Sequence, residues 1–278
     1  MERRDFVKRS IIGLLGVSGL SSGDSKGNKT NRSNIGNKVE FPRIIEEDLP
    51  PLYIPGEEPK IIEEDLPPPG QEVKDGIKRV YLTIDDGPGY YMFDILNRLK
   101  ENDGKVTFFV IGENIIHETG FNLMTRAIKE GHLIGNHSYS HPDFHKLSIE
   151  KAKSEISRND DIIERAYNDS GIRRNPNTKL FRFPYGKTNN EIIPYLNELG
   201  YKPVRSWDEQ KEDDWDIDTL DWKYGRSLSG EKIMKICRKT KDKDVILMHD
   251  TVKPKDFTFN NILPYYLNKD EYELIIPS

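Results

Sequence analysis

The chain has 278 residues, 35% of them hydrophobic and 32% charged, with 17 Pro, 21 Gly and one Cys; that length allows one large domain with tails or two small domains. A mean hydropathy of -0.72 and no apolar run near ~18 residues exclude a polytopic membrane protein, while a net charge of -5 argues against nucleic acid as a partner. The single Cys237 cannot form an internal disulfide and, following Ile233 and Ile236 on a predicted helix, reads as core packing.

At the N-terminus, Arg3-Arg4-Asp5-Phe6-Val7-Lys8 precedes a mild apolar stretch from Ile11 to Leu20. That stretch is short for a membrane span, and a basic leader before it is the layout of a signal peptide. The order Arg-Arg-x-Phe-Val-Lys resembles a twin-arginine export signal, an address read by a receptor. Residues 1–22 are therefore assigned to a signal, with no stable membrane span expected after processing. Export would place the protein in the periplasm, at the cell wall or outside the cell. Residues 23–76 lack sustained periodicity and turn from Asn/Ser/Lys-rich to Pro-rich and acidic, the composition of a disordered linker. Within it Ile44-Ile45-Glu46-Glu47-Asp48-Leu49-Pro50-Pro51 recurs as residues 61–68. Two copies are too few for a solenoid, so the repeat reads as a charge-extended spacer or as a docking motif.

From Ile77 to Ser278 the sequence alternates. Strand-like runs fall at Arg79–Ile84, Val106–Ile111, His132–Gly135, Leu180–Phe183, Tyr201–Val204, Trp215–Ile217 and Val245–Met248. Between most of them lie helical patterns: Phe93, Leu96 and Leu99 in one, and Ile149, Ala152, Ile156, Ile163 and Ala166 after a Ser148 cap in another. Gly131 and Gly200 stand where left-handed helix caps belong. Alternation of this kind predicts an α/β fold of parallel strands with helical crossovers. About seven strands in fewer than the ~250 residues of a full eight-fold barrel fit a distorted or incomplete (β/α) barrel. An open doubly wound sheet is the competing expectation, without a Gly-x-Gly-x-x-Gly turn to favour it.

In either architecture functional residues gather beyond the carboxyl ends of strands. The first strand ends in Asp85-Asp86-Gly87-Pro88, a composition that a plain solvated turn would also use. The third runs into Asn136-His137-Ser138-Tyr139-Ser140-His141-Pro142, with imidazoles that can converge on one ion and leave open positions once a carboxylate joins them. Pro142 disfavours helical geometry at His141, which places the pair on an irregular loop and argues against His145 as a third ligand. His117 and His132 read as structural, the latter buried at a strand start. The fourth strand leads to Phe181-Arg182-Phe183-Pro184-Tyr185-Gly186, the sixth gives Trp215-Asp216-Ile217-Asp218-Thr219-Leu220-Asp221-Trp222, and the seventh gives Ile246-Leu247-Met248-His249-Asp250. A histidine ending an apolar strand is well placed for general acid or base work.

These five segments, in this order, resemble the motifs of the polysaccharide deacetylases, the NodB-homology domain of carbohydrate esterase family four, over residues 77–278. The resemblance implies a distorted β/α barrel. It also implies a hydrolase that removes N-acetyl groups from an amino-sugar polymer such as peptidoglycan, chitin or poly-N-acetylglucosamine. By the same resemblance Asp86, His137 and His141 would hold one divalent metal ion, zinc in the first place, with Co2+ or another divalent ion as alternatives. Asp85 would be the general base, oriented by Arg182; His249 would be the general acid, its imidazole held by Asp221. The backbone amide of Tyr185, after Pro184, would stabilise the oxyanion, and Trp222 and Leu247 would wall the acetyl pocket. The sequence departs from the pattern at Ile84 and Phe183, neither of which supplies chemistry, and in an apparent insertion from Arg205 to Asp214 carrying Trp207 and five carboxylates. That stretch reads as a solvated acidic loop, or as a sugar-contacting one through Trp207. An O-acetyl esterase on xylan-like chains and a catalytically silent carbohydrate-binding relative are the alternatives. A two-carboxylate glycosidase is disfavoured by the adjacency of Asp85 and Asp86, and a serine hydrolase by the lack of a Gly-x-Ser-x-Gly elbow.

Overall fold

The structure, a computed structural model, describes residues 76–115, 117–203, 214–224, 227–250 and 257–277. The signal, nearly all of the linker with its repeat, and the Arg205–Asp214 segment except Asp214 lie outside the described residues.

Each apolar run identified in the sequence becomes a strand: β1 (Lys78–Gly87), β2 (Thr107–Val110), β3 (Leu133–Asn136), β4 (Leu180–Phe181), β5 (Lys202–Pro203), β6 (Ile217–Asp218) and β7 (Val245–His249). All pair in parallel, in the order β5-β4-β3-β2-β1-β7-β6. Among the described residues no pairing joins β5 to β6, so the row is the incomplete barrel expected from its length. An eighth strand, β8 (Tyr272–Leu274), pairs in parallel with Lys78–Val80 of β1. The sequence reading missed it, because three residues carry too little periodicity to announce a strand.

Helical crossovers connect the strands. The first, α1 (Met92–Glu101), buries Met92, Ile95, Leu96 and Leu99, and α2 (Gly112–Ile115) leads into α3 (Glu118–Lys129). The long α4 (Ile149–Ser170) starts at Ser148, whose side chain accepts the Lys151 N–H, and buries the predicted stripe of Ala152, Ile156, Ile163 and Ala166. It also buries Asn159 and Asp160, polar positions that no apolar stripe predicts. The remaining helices are α5 (Ile193–Glu198), α6 (Gly230–Cys237) and α7 (Leu263–Tyr266). Gly131 and Gly200 take φ of 81° and 77° at the predicted helix ends. Cys237 lies in the main core, as expected, and burial pushes its thiol pKa up to about 11.

The main core packs alternate side chains of β1, β2, β3 and β7 against the helices. A second cluster gathers Phe144, Phe181, Phe183 and Tyr201 edge to face. Phe183, a departure from the family pattern, is thus a core aromatic. Because side chains alternate along an extended chain, Phe181 and Phe183 enter this cluster while Arg182 between them points the other way, towards the strand ends.

Candidate active site

Strand β1 delivers two carboxylates to one place by breaking its own alternation. Regular pleating would send the neighbours Asp85 and Asp86 to opposite faces. The register with β2 instead shifts between Asp85 and Gly87, and Asp86 takes φ of 70°. This bulge turns Asp86 back, so that His137 Nε2 lies 3.6 Å from Asp85 Oδ2 and 3.5 Å from Asp86 Oδ1.

The histidine loop after β3 is irregular, as Pro142 requires. Ser138 and His141 both adopt left-handed φ, 68° and 55°, and the Ser138 hydroxyl accepts the His141 N–H at 3.0 Å. His141 Nε2 comes to 3.4 Å from Asp86 Oδ1. Asp86, His137 and His141 each offer a ligand atom, all within 4.8 Å of one another. Ligand atoms around a four-coordinate ion at about 2.0–2.1 Å stand roughly 3.3 Å apart, close to the separations of both imidazoles from Asp86. Tautomer and charge also fit. The Arg182 carbonyl, which can only accept, lies 2.8 Å from His137 Nδ1 and fixes the proton there, leaving Nε2 as a lone pair. Burial holds that imidazole neutral, lowering its pKa to about 3 against the opposing pull of Asp86. The donor set therefore suits a divalent ion. His145 and His117 are exposed and outside the set, and His132 is buried at the foot of β3.

On the next side stands a buried ion pair. Arg182 Nη1 donates to Asp85 Oδ1 at 2.7 Å and to the Thr83 hydroxyl at 2.8 Å, and Nη2 donates to the Asp214 carbonyl at 3.2 Å. Neither Arg182 nor Asp85 has appreciable exposure, so each charge depends on the other for stabilisation. The guanidinium lies 4.2 Å from the Phe109 ring centroid and 5.8 Å from that of Trp215.

Opposite it is a second pair. His249 Nδ1 is 2.7 Å from Asp221 Oδ1, and Asp221 Oδ2 accepts the His249 N–H and the Thr258 hydroxyl, each at 2.8 Å. The fully buried Asp221 thereby orients the ring and favours a proton on it. Burial alone would lower the His249 pKa, but Asp221, with Asp85 and Asp86 adding, raises it to about 9. Asp85 and His249 are register partners on β1 and β7, neighbours at strand spacing of about 4.8 Å.

The predicted substrate-binding residues divide. Leu247 and Pro184 are buried, whereas Tyr185 and Trp222 are 62% and 45% exposed; the Tyr185 ring lies 4.6 Å from that of His141. Tyr185 holds φ of 61° in a tight turn. The sequence reading missed Thr258 and gave no role to Thr83, Trp215 and Asp250, though they stand in its motifs; the Asp250 side chain accepts the Gly89 N–H while its backbone N–H donates to the Asp85 backbone carbonyl. Asp250 sits within the fifth motif, but adjacency to His249 does not disclose that contact. A Cβ on Gly89 would come within 2.8 Å of Asp250 Cγ, which makes glycine a steric necessity there.

An Asp-His-His group that could hold a metal ion, set between two carboxylate-paired cations at the strand ends of an incomplete β/α barrel, defines the class: an α/β protein with a candidate metal centre. The chain belongs to the polysaccharide deacetylase family, whose family model matches residues 72–204. It is 38% identical over 182 residues to a peptidoglycan-N-acetylglucosamine deacetylase of Bacillus cereus, covering 62% of this chain and 60% of that relative's length. The solved structure of the peptidoglycan deacetylase PdaC from Bacillus subtilis is similar with a TM-score of 0.57 and 29% identity, over 73% of this chain and 89% of that one. A T48 deacetylase solved with substrate is 31% identical, with a TM-score of 0.54 over 72% of this chain and 88% of that one. No helix among the described residues is long and apolar enough to cross a membrane.

Proposed function

We propose that the domain spanning residues 77–278 hydrolyses N-acetyl groups on an amino-sugar polymer, peptidoglycan first, releasing acetate and leaving a free amine. The observation that carries this reading is the pairing of Asp85 with His249 across β1 and β7 beside the Asp86, His137 and His141 set. A divalent ion held there, zinc in this reading, would lower the pKa of water towards ~7 and polarise the acetyl carbonyl. Asp85 takes the proton of the attacking water, and the Arg182 hydrogen bond at 2.7 Å keeps that carboxylate aimed. The Tyr185 amide, set by its left-handed turn, donates to the developing oxyanion. His249 Nε2 then delivers its proton to the departing amine, because Asp221 holds Nδ1 and with it the orientation of the ring. Leu247 and Trp222 border the acetyl methyl. The names of the relatives support peptidoglycan as the polymer.

The test is acetate release by the zinc-loaded protein on peptidoglycan, chitin oligomers and acetylated xylan, beside Asp85→Asn. Release from peptidoglycan that falls about 10²–10⁴-fold in the variant, the range of a lost general base, is expected. Acetate from xylan alone would replace this reading with the ester one, and zinc binding without acetate from any polymer would favour the silent relative.

The Arg3-Arg4 leader supports export by the twin-arginine route, with the export machinery as a partner and the linker of residues 23–76 as a spacer. Exchanging both arginines for lysine should leave the protein in the cytoplasm. Unchanged export of that variant would remove the assignment.

A further inference from the structure

Asn136 ends β3 one residue before His137, is fully buried, and uses every hydrogen-bonding position of its amide. Its Oδ1 accepts from the Ser138 N–H at 2.8 Å and from Asn159 Nδ2 at 2.9 Å; its Nδ2 donates to the Ile156 carbonyl at 3.0 Å and the Tyr201 hydroxyl at 3.1 Å. Among side chains this short, only asparagine offers two donors and an acceptor on one planar head. Its backbone carbonyl accepts the Arg182 N–H at 3.1 Å, and the Arg182 carbonyl in turn meets His137 Nδ1.

Asn159 is held through its Nδ2, which donates twice, while its buried Oδ1 has no hydrogen-bond partner. It sits with no exposure on the core face of α4, where an amide without partners would be destabilising. Its Nδ2 also donates to the Val110 carbonyl at 2.8 Å, and that carbonyl accepts the His137 N–H at 3.0 Å. The two amides thus hold the backbone N–H groups of His137 and Ser138 from behind, and Ser138 passes the constraint to His141 through its hydroxyl. Ser138 and His141 occupy left-handed backbone conformations that a non-glycine residue keeps only when its surroundings enforce them.

We propose that Asn136 and Asn159 are positioning residues that preset the His137–His141 loop in ligand geometry, so that they govern metal affinity while touching neither metal nor substrate. The inference rests on the metal-centre reading given above. It predicts that Asn159→Leu in the full chain weakens Zn2+ binding about 10–100-fold in chelator competition, the range typical of groups that orient ligands. The kcat at saturating zinc should fall far less. Ala166→Gly, a cavity on the same helix remote from the loop, should lower stability without moving the dissociation constant. A zinc affinity for Asn159→Leu within about twofold of native, or an equal loss in Ala166→Gly, overturns the proposal. Should Asn159→Leu not fold, Asn136→Ser reads the same link with the same expectation. The native protein supplies an independent check. Its Ser138 amide should be as protected from hydrogen exchange without zinc as with it; protection that arises only on zinc addition would mean the ion, not the asparagine pair, orders the loop. Native protein that binds no zinc at all would instead defeat the metal-centre reading itself.

Discussion

At the scale of single residues, the proposed acid–base division rests on where protons are held. His249 combines a carboxylate on Nδ1 with two further carboxylates nearby, and its pKa is lifted to about 9 despite burial. A group whose folded pKa is raised stays protonated until pH climbs through that value, so in metal-free protein the His249 ring should titrate near 9 by NMR. A bound cation would offset Asp85 and Asp86 and bring the titration down. Asp221→Asn removes the first-named carboxylate, so the titration should move well towards neutrality and the alkaline limb of the activity profile with it. A His249 resonance unmoved in Asp221→Asn would show that the pair does not set the proton affinity. The sequence made these partners legible as types, because carboxylates and imidazoles ended apolar runs. It could not show that Thr258 and the His249 amide share Asp221, since both contacts depend on chain segments brought together only by folding.

Elements explain why the site is a site. The strands were readable because β1, β2 and β7 are near-continuous apolar runs, as a parallel sheet covered on both sides demands. The bulge at Asp86 was not readable: one additional residue leaves no mark in Asp-Asp-Gly-Pro, which a simple turn would share. Nor was the contact between the 184–186 turn and Trp215. Gly186 has φ of 65°, and a Cβ there would lie 2.6 Å from Trp215 Cη2. Gly186→Ala therefore meets both backbone strain and a clash with a ring that also faces Arg182. A loss of about 1–3 kcal/mol is expected, seen in thermal unfolding as a Tm drop of roughly 2–4 °C per kcal/mol, together with reduced kcat as the Tyr185 turn is displaced. An unchanged Tm would show that the turn relaxes freely.

For the molecule as a whole, buried neutral imidazoles set the response to acid. His132 has its pKa lowered to about 3 by burial, with Lys105 and Arg126 adding to it, and its Nδ1 accepts the Val106 N–H at 3.3 Å. Its folded pKa lies below the ordinary 6.5, so the unfolded chain takes up the proton first as pH falls. Stability is complete above about 6.5 and declines below it by up to about 1.4 kcal/mol per pH unit for this one proton. His137 contributes likewise while no ion holds it. His132→Gln should flatten the fall in urea midpoint between pH 6.5 and 4.5 by one proton's share, and an identical slope in the variant would assign the acid sensitivity elsewhere.

Strand β1, which carries both aspartates, is bonded to β2 nearby in sequence but also to β7 and β8, whose partner residues lie more than a hundred and fifty positions downstream. A ribosome delivering this chain releases Asp85 and Asp86 long before the strand that supplies His249, and the opening stretch of β1, Lys78–Val80, finds its β8 neighbour only with Tyr272–Leu274. Contacts of such separation close late. The proposed ligand set would therefore acquire its final shape only near the end of synthesis, so an interrupted chain would carry Asp86, His137 and His141 without the finished site. On the proposed metal site, whatever supplies the ion would act on an essentially full-length protein.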